Sequence, residues 1–145
     1  MAFYKKILYA INKKWYPRSI LVGSPVSTEQ VARRLASEST VSPADVLAVL
    51  EGLSGVMGDY MAQGRSVKLN GIGTFSFVAN THGNGVDTPE EVSVSQINGV
   101  KVRFRPEMTY RRTGTLGRVA NRALTDVDIE WIDIDSIAES STENL

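Results

Sequence analysis

Cysteine is absent from this 145-residue chain, and His82 is the only histidine. The first absence excludes disulfides, thiolate nucleophiles and cysteine zinc sets, and the second leaves no imidazole pair to ligate a metal or activate a serine. No apolar run approaches the ~20 residues that a membrane-spanning helix needs. Lys5 and Lys6 precede a short Ile-Leu-Tyr-Ala-Ile stretch that ends at Asn12-Lys13-Lys14, which reads as a strand and not a signal peptide. The expected compartment is a reducing cytoplasm. Charge of one sign is missing in blocks. Residues 1–22 hold five bases and no acid, residues 76–100 hold Asp87, Glu90 and Glu91 with no Lys or Arg, and residues 123–145 hold seven acids and no base. Residues 101–122 carry seven bases against Glu107 alone. A net charge of zero therefore hides a strong separation, and without the last block the chain would stand at +7.

With 42% hydrophobic residues, the chain suits one soluble domain with a small core. Ser27 with Gln30, and Ser42 with Asp45 and Pro43, are helix-start signals. They predict helices over 28–38 and 43–63, the second ended by Gly64. Its apolar positions, Val46, Leu47, Val49, Leu50, Leu53, Val56, Met57, Tyr60 and Met61, form more than one narrow stripe. Such a helix must cover more than one neighbour, either within one subunit or in a second copy of the chain. Strands are predicted near 66–70, 73–79 and 100–105, with turn signals at Asn84-Gly85 and Asn98-Gly99. Alternation around Ile7 and Tyr9, then a β-rich run at 19–22, predicts an amino-terminal hairpin with a longer connection. A short helix is expected over 114–124. Val127, Ile129 and Trp131 alternate with acids and predict a carboxy-terminal strand paired with the first, where Lys5 and Lys6 could face Asp128 or Glu130.

Gly71-Ile72-Gly73-Thr74-Phe75 follows the two helices, and Phe75 and Phe104 bracket 28 residues before a Phe104-Arg105-Pro106 step. In this order and spacing the chain resembles the HU/IHF family of bacterial histone-like DNA-binding proteins, over roughly residues 25–122. Extensions at both ends are similar to a longer HU-like subgroup of Bacteroides-type bacteria with extra terminal strands. The resemblance implies an α+β fold: a helical pair plus an antiparallel β-sheet with a protruding two-stranded arm, forming an intertwined homodimer. The expected organisation is a hairpin extension at 1–24, an HU/IHF-like region at 25–124 with its arm at about 79–99, and an acidic strand and tail at 125–145, packed as one domain. Leu50, Leu53 and Met57 are the expected dimer contacts.

Lys101, Arg103 and Arg105 alternate with Val100, Val102 and Phe104, so one strand face is apolar and the other cationic. Cations spaced along a surface neutralise phosphates and release counterions, giving salt-sensitive affinity with little sequence preference. An ordinary solvated face is the alternative. Arg111, Arg112, Arg118 and Arg122 extend the basic stretch, and Lys68 could join it. In the family a proline near the arm tip wedges between base pairs, and Pro89 stands close to that position. It departs from the pattern, because the Asn-Pro pair is absent and Asp87, Glu90 and Glu91 surround it.

No catalytic arrangement emerges. Asp126, Asp128, Glu130, Asp133 and Asp135 lack the glycine-containing loop of an EF-hand, and Gly71-Ile72-Gly73 lacks the third glycine and helix of a dinucleotide site. The expectation is a non-enzymatic protein of the nucleoid with double-stranded DNA and a second copy of itself as partners, and with no cofactor, metal, membrane or small-molecule substrate. The rival expectation is a dimeric structural or protein-interaction module that has kept the fold and lost DNA binding.

Overall fold

Two serines start the helices as expected. In the computed structural model, which describes residues 1–113, 117–122, 124 and 127–137 (the backbone alone over 109–113 and 117–122), α1 spans Thr28–Ser37 and α2 spans Pro43–Ala62. The Ser27 hydroxyl accepts the Gln30 N–H at 3.2 Å, and the Ser27 N–H donates to Gln30 Oε1 at 2.8 Å, so two amides that lack intrahelical partners are satisfied reciprocally. The second start differs in detail. Ser42 Oγ accepts from the Asp45 N–H at 3.3 Å but also donates to Asp45 Oδ2 at 2.6 Å, so the carboxylate holds the capping hydroxyl and does not return to the backbone. After α2 the Gly64 N–H closes onto the Met61 carbonyl at 3.0 Å.

The chain divides into two compact units, one of residues 27–126 and one of residues 1–26 with 127–145. In the first, α1 packs on α2, and β3 (Val67–Leu69), β4 (Gly73–Thr81) and β5 (Ile97–Pro106) form an antiparallel sheet in that order, with α2 against β3 and β4. The core is thin: among the described residues only Ala32 and Met61 are buried apolar side chains. β4 and β5 pair from Gly73↔Pro106 to Asn80↔Gly99, after which the register jumps to Thr81↔Ile97. Asn98 is thus the extra residue of a bulge, which is the structural meaning of the Asn98-Gly99 signal. Residues 82–96 join the two strands and contain two single-turn 3-10 helices, Pro89–Glu91 and Val94–Gln96.

One expectation fails here. Where a helix was predicted over 114–124, β7 (Gly117–Arg122) runs antiparallel to β6 (Met108–Thr113). Gly114 and Gly117 each weaken a helix by ~1 kcal/mol, and a neighbouring strand offers the backbone a complete set of partners instead. Residues 114–116 and 123 lie outside the described residues.

In the terminal unit, β1 (Ala2–Tyr9) is flanked by β2 (Lys14–Ile20) on one side and β8 (Trp131–Asp133) on the other. The β1–β2 hairpin is tighter than expected, four residues long, with Lys13 at φ 53 and its N–H bonded to the Tyr9 carbonyl at 2.8 Å. β2 includes Pro17, which an edge strand tolerates because its outer backbone groups need no ladder partner. β8 is shorter and later than predicted. It pairs in parallel with β1 through Ala2↔Trp131, Phe3↔Ile132 and Tyr4↔Asp133, while Val127 and Ile129 lie outside it and are exposed. The cross-strand charge pair is accordingly Lys6 with Asp133 at 2.7 Å, and not Asp128 or Glu130. Residues 138–145, the expected tail, lie outside the described residues.

Candidate nucleic-acid interface

The turn between β3 and β4 sets the position of the basic strand. The Ile72 N–H bonds the Leu69 carbonyl at 3.1 Å, closing a β-turn with Gly71 as its third residue at φ +80. A positive φ at that place is the mark of a type II turn and favours glycine. Gly73 has a different reason. At φ +151 it lies so close to β5 that an added Cβ would fall within contact distance of the Arg105 carbonyl oxygen and 2.8 Å from Phe104 Cε2. The Gly-Ile-Gly step is therefore a hairpin turn followed by a close approach of two backbones, and it fixes β5 directly against β4.

From that anchor the register assigns each side chain to a face. Phe75 pairs with Phe104 and Phe77 with Val102, and the Phe75 and Phe104 rings stack at 4.8 Å between centroids. On the other face Thr74 pairs with Arg105, Ser76 with Arg103 and Val78 with Lys101. Lys101, Arg103 and Arg105 are exposed, oppose only uncharged residues, and take part in no ion pair among the described residues. Alternate residues on a strand repeat every ~6.6–6.8 Å, so this is a row of three unneutralised cations on one rigid element.

Lys68 continues the row, since it pairs with Thr74 on the strand beyond. It is not free, however. Its Nζ lies 3.5 Å from Glu107 Oε1, and the same carboxylate accepts the Gly71 N–H. The Glu107 N–H in turn donates to the Ile72 carbonyl at 3.1 Å. Glu107, the lone acid of the basic segment, thus clasps the β3–β4 turn to the end of β5 and takes up part of the Lys68 charge. Sequence reasoning missed this role; the available signal was an isolated carboxylate immediately after Phe104-Arg105-Pro106.

Arg111, Arg112, Arg118 and Arg122 fall on the β6–β7 hairpin, whose backbone register sets Arg112 opposite Arg118 and Met108 opposite Arg122. Their side chains lie outside the described ones. Pro89 opens the 3-10 turn Pro89–Glu91, in the first-turn position where its missing N–H costs nothing. Glu90 and Glu91 share that turn, and all of residues 82–95 are exposed. The turn is held by local bonds such as Glu91 N–H to Thr88 O at 3.2 Å.

The expected dimer contacts Leu50, Leu53 and Met57 are half-buried within one chain, whereas Val49 and Val56 on the same helix are 68% and 55% exposed. Among the described residues no cluster of His, Asp or Glu could hold a metal ion, and no helix is long and apolar enough to cross a membrane.

Residues 8–119 match the HU-HIG family, described as an HU domain fused to wHTH, Ig or a glycine-rich motif. No curated protein matches the chain.

Proposed function

The chain belongs to the HU-HIG family, and on that premise we propose that it binds double-stranded DNA without catalysis, as a homodimer, chiefly through phosphate contacts. The observation that carries this reading is the exposed row Lys101, Arg103 and Arg105, with no acid opposite it in the sheet. A polyanion is the ligand that such a row favours, and the uncharged partners Thr74, Ser76 and Val78 leave its three cations free for phosphate. Arg111, Arg112 and Arg118 follow in the next hairpin and extend the positive stretch. The second copy is supported by the thin core: Val49, Val56, Val102 and Phe104 stay exposed on one chain, and a partner helix and sheet would cover them. The same proposal takes the chain as one of the longer, Bacteroides-type HU-like proteins working in the nucleoid, a reading that its terminal strands support.

The rival reading, a dimeric interaction module without DNA binding, draws on one observation. Residues 82–96 contain no Lys or Arg and present Glu90 and Glu91 beside Pro89, so a proline wedge there would carry carboxylates toward phosphate.

Salt-titrated duplex binding separates the two. Each phosphate contact contributes about 0.9 to the slope of log K against log salt, so three cations in each of two copies predict an affinity loss on the order of 10³ between about 50 and 200 mM salt. Arg103→Ala removes two of those contacts from a dimer and should lower the slope by about 1.8, similarly for unrelated duplexes. Binding that is absent at about 50 mM salt, or a slope unchanged by the substitution, overturns the DNA reading.

A further inference from the structure

The terminal unit carries a feature that DNA binding does not use. Both tryptophans of the chain, Trp15 and Trp131, lie on its sheet and are 67% and 52% exposed. They border an open groove of about 660 Å³ whose remaining walls are Tyr4, Lys6, Tyr16 and Pro17, with Ser19 at one side. The register explains the assembly except for Tyr16, which pairs with Ile7 on the opposite face. Along one face of β1, Ala2 pairs with Trp131, Tyr4 with Ser19, Lys6 with Pro17 and Leu8 with Trp15. The two indoles therefore stand at opposite ends of the seven residues from Ala2 to Leu8, separated by ~20 Å along the strand.

The chemistry of the lining narrows the ligand. The single cation in the groove, Lys6, is neutralised by Asp133 at 2.7 Å, so the site has no free charge to attract a polyanion. No carboxylate or amide side chain lines it. Asp133, behind Lys6, already accepts the Asp135 N–H on its other oxygen at 3.2 Å. The indoles can only donate hydrogen bonds, whereas the hydroxyls of Tyr4 and Ser19 can both donate and accept. A groove of aromatic walls, with the Tyr4 and Ser19 hydroxyls as its side-chain acceptors and donors in the majority, suits a ligand with apolar rings and unsatisfied acceptors better than a hydroxyl-rich saccharide.

We propose that this groove binds a proline-rich segment of another protein in the polyproline II conformation. Proline carries no N–H, so such a segment presents carbonyl acceptors and ring faces only. At ~3.1 Å per residue, six to seven residues span the distance from Trp131 to Trp15. The five prolines of residues 1–145, at 17, 25, 43, 89 and 106, form no such run, so none of these residues supplies the occupant. The inference is independent of the basic row in the other unit.

Because both tryptophans border the groove, intrinsic fluorescence of the full chain reports occupancy directly. Titration with capped decaproline should give a saturable emission shift that changes less than about twofold in affinity between about 50 and 300 mM salt, unlike a phosphate-driven interaction. Trp15→Ala should weaken that binding at least about tenfold while the thermal melt is unchanged, as expected for an exposed aromatic anchor. Trp131→Phe, which keeps a ring, tests the second station if Trp131→Ala fails to fold. The proposal is overturned if decaproline gives no saturable shift, if a Gly-Ser peptide of equal length gives the same shift, or if Trp15→Ala leaves it intact. Saturation by an oligosaccharide or by oligo-dT in place of decaproline also overturns it. So does an association state that depends on Trp15 with no peptide effect, which would assign the groove to a second copy.

Discussion

Replacing Gly73 by alanine tests the link between the glycine turn and the basic row. An added Cβ would press on the Arg105 carbonyl oxygen and come within 2.8 Å of Phe104 Cε2. The first of these is backbone, so it cannot rotate away as a side chain end would. Overpacking of this kind costs about 1–3 kcal/mol. The φ of +151 adds strain, since that region is populated essentially by glycine, at a further cost of about 1–3 kcal/mol. The sum, about 2–6 kcal/mol, corresponds to a drop of about 8 °C or more in the melting of a unit of some hundred residues. Gly71→Ala supplies the control. Gly71 also has a positive φ, +80, but nothing lies within 4 Å of an added Cβ, so only the left-handed penalty of about 1–2 kcal/mol applies. Urea melts of the two variants with unchanged m-values are the assay. Equal losses, or a Gly73→Ala protein within about 0.5 kcal/mol of the parent, would refute the claim that close approach and not turn geometry is what demands glycine at 73.

Leu53→Asp should abolish self-association and destabilise the fold by about 3 kcal/mol or more, because a carboxylate would be left without a partner at a covered apolar surface. Sedimentation reads the outcome, and a stable folded parent monomer at micromolar concentration contradicts it. A pH series on Lys6→Met tests the terminal sheet. In the parent, the hydrogen bond from Lys6, aided by the Asp135 N–H and opposed by partial burial, holds Asp133 below the usual carboxylate range. The bond to Asp133, and then its charge, holds Lys6 above the usual lysine value. The lowered carboxylate contributes stability above its unfolded pKa and loses it as pH falls through the folded one. The raised ammonium contributes below its unfolded pKa and loses it as pH rises through the folded one. The melting difference between parent and variant should therefore be widest from about pH 5 to 9 and close at both extremes; a constant difference would exclude the ion pair as its source.

What was legible in the sequence was whatever local chemistry determines. Ser27, Gln30, Ser42 and Pro43 placed both helix starts at the observed residue, and the ends fell one residue from those expected. The alternation from Val100 to Arg105 gave the cationic face of β5 correctly, because side chains on a strand alternate whatever the strand pairs with. Long-range pairing was less visible. The segment 114–124 reads as a weak helix by itself, and only the pairing of residues 117–122 with Met108–Thr113 makes those six a strand. Trp131 was seen as one point of an alternation beginning at Val127, yet the ladder starts at Trp131 because that is where β1 has a free edge to offer. Glu107 and the Lys6–Asp133 pair depend on contacts 36 and 127 residues apart in the chain, and no local pattern announces them.

The parallel pairing of β8 with β1 has a consequence for the order in which the molecule is made. β1 and β2 are joined by four residues and can form as soon as both exist, whereas Ala2 meets Trp131 only after 128 intervening residues. For an unstructured chain, closing the longer loop costs about 3 kcal/mol more in entropy than closing the hairpin. Three pairs in β8 give little to set against that. Residues 27–126 form their own compact unit inside that loop, and once they have folded the effective tether shrinks. During synthesis the hairpin must therefore wait, with one side of β1 unpaired, until the central unit has emerged and collapsed. The last strand then closes the terminal sheet as a clasp whose two halves were made at different times.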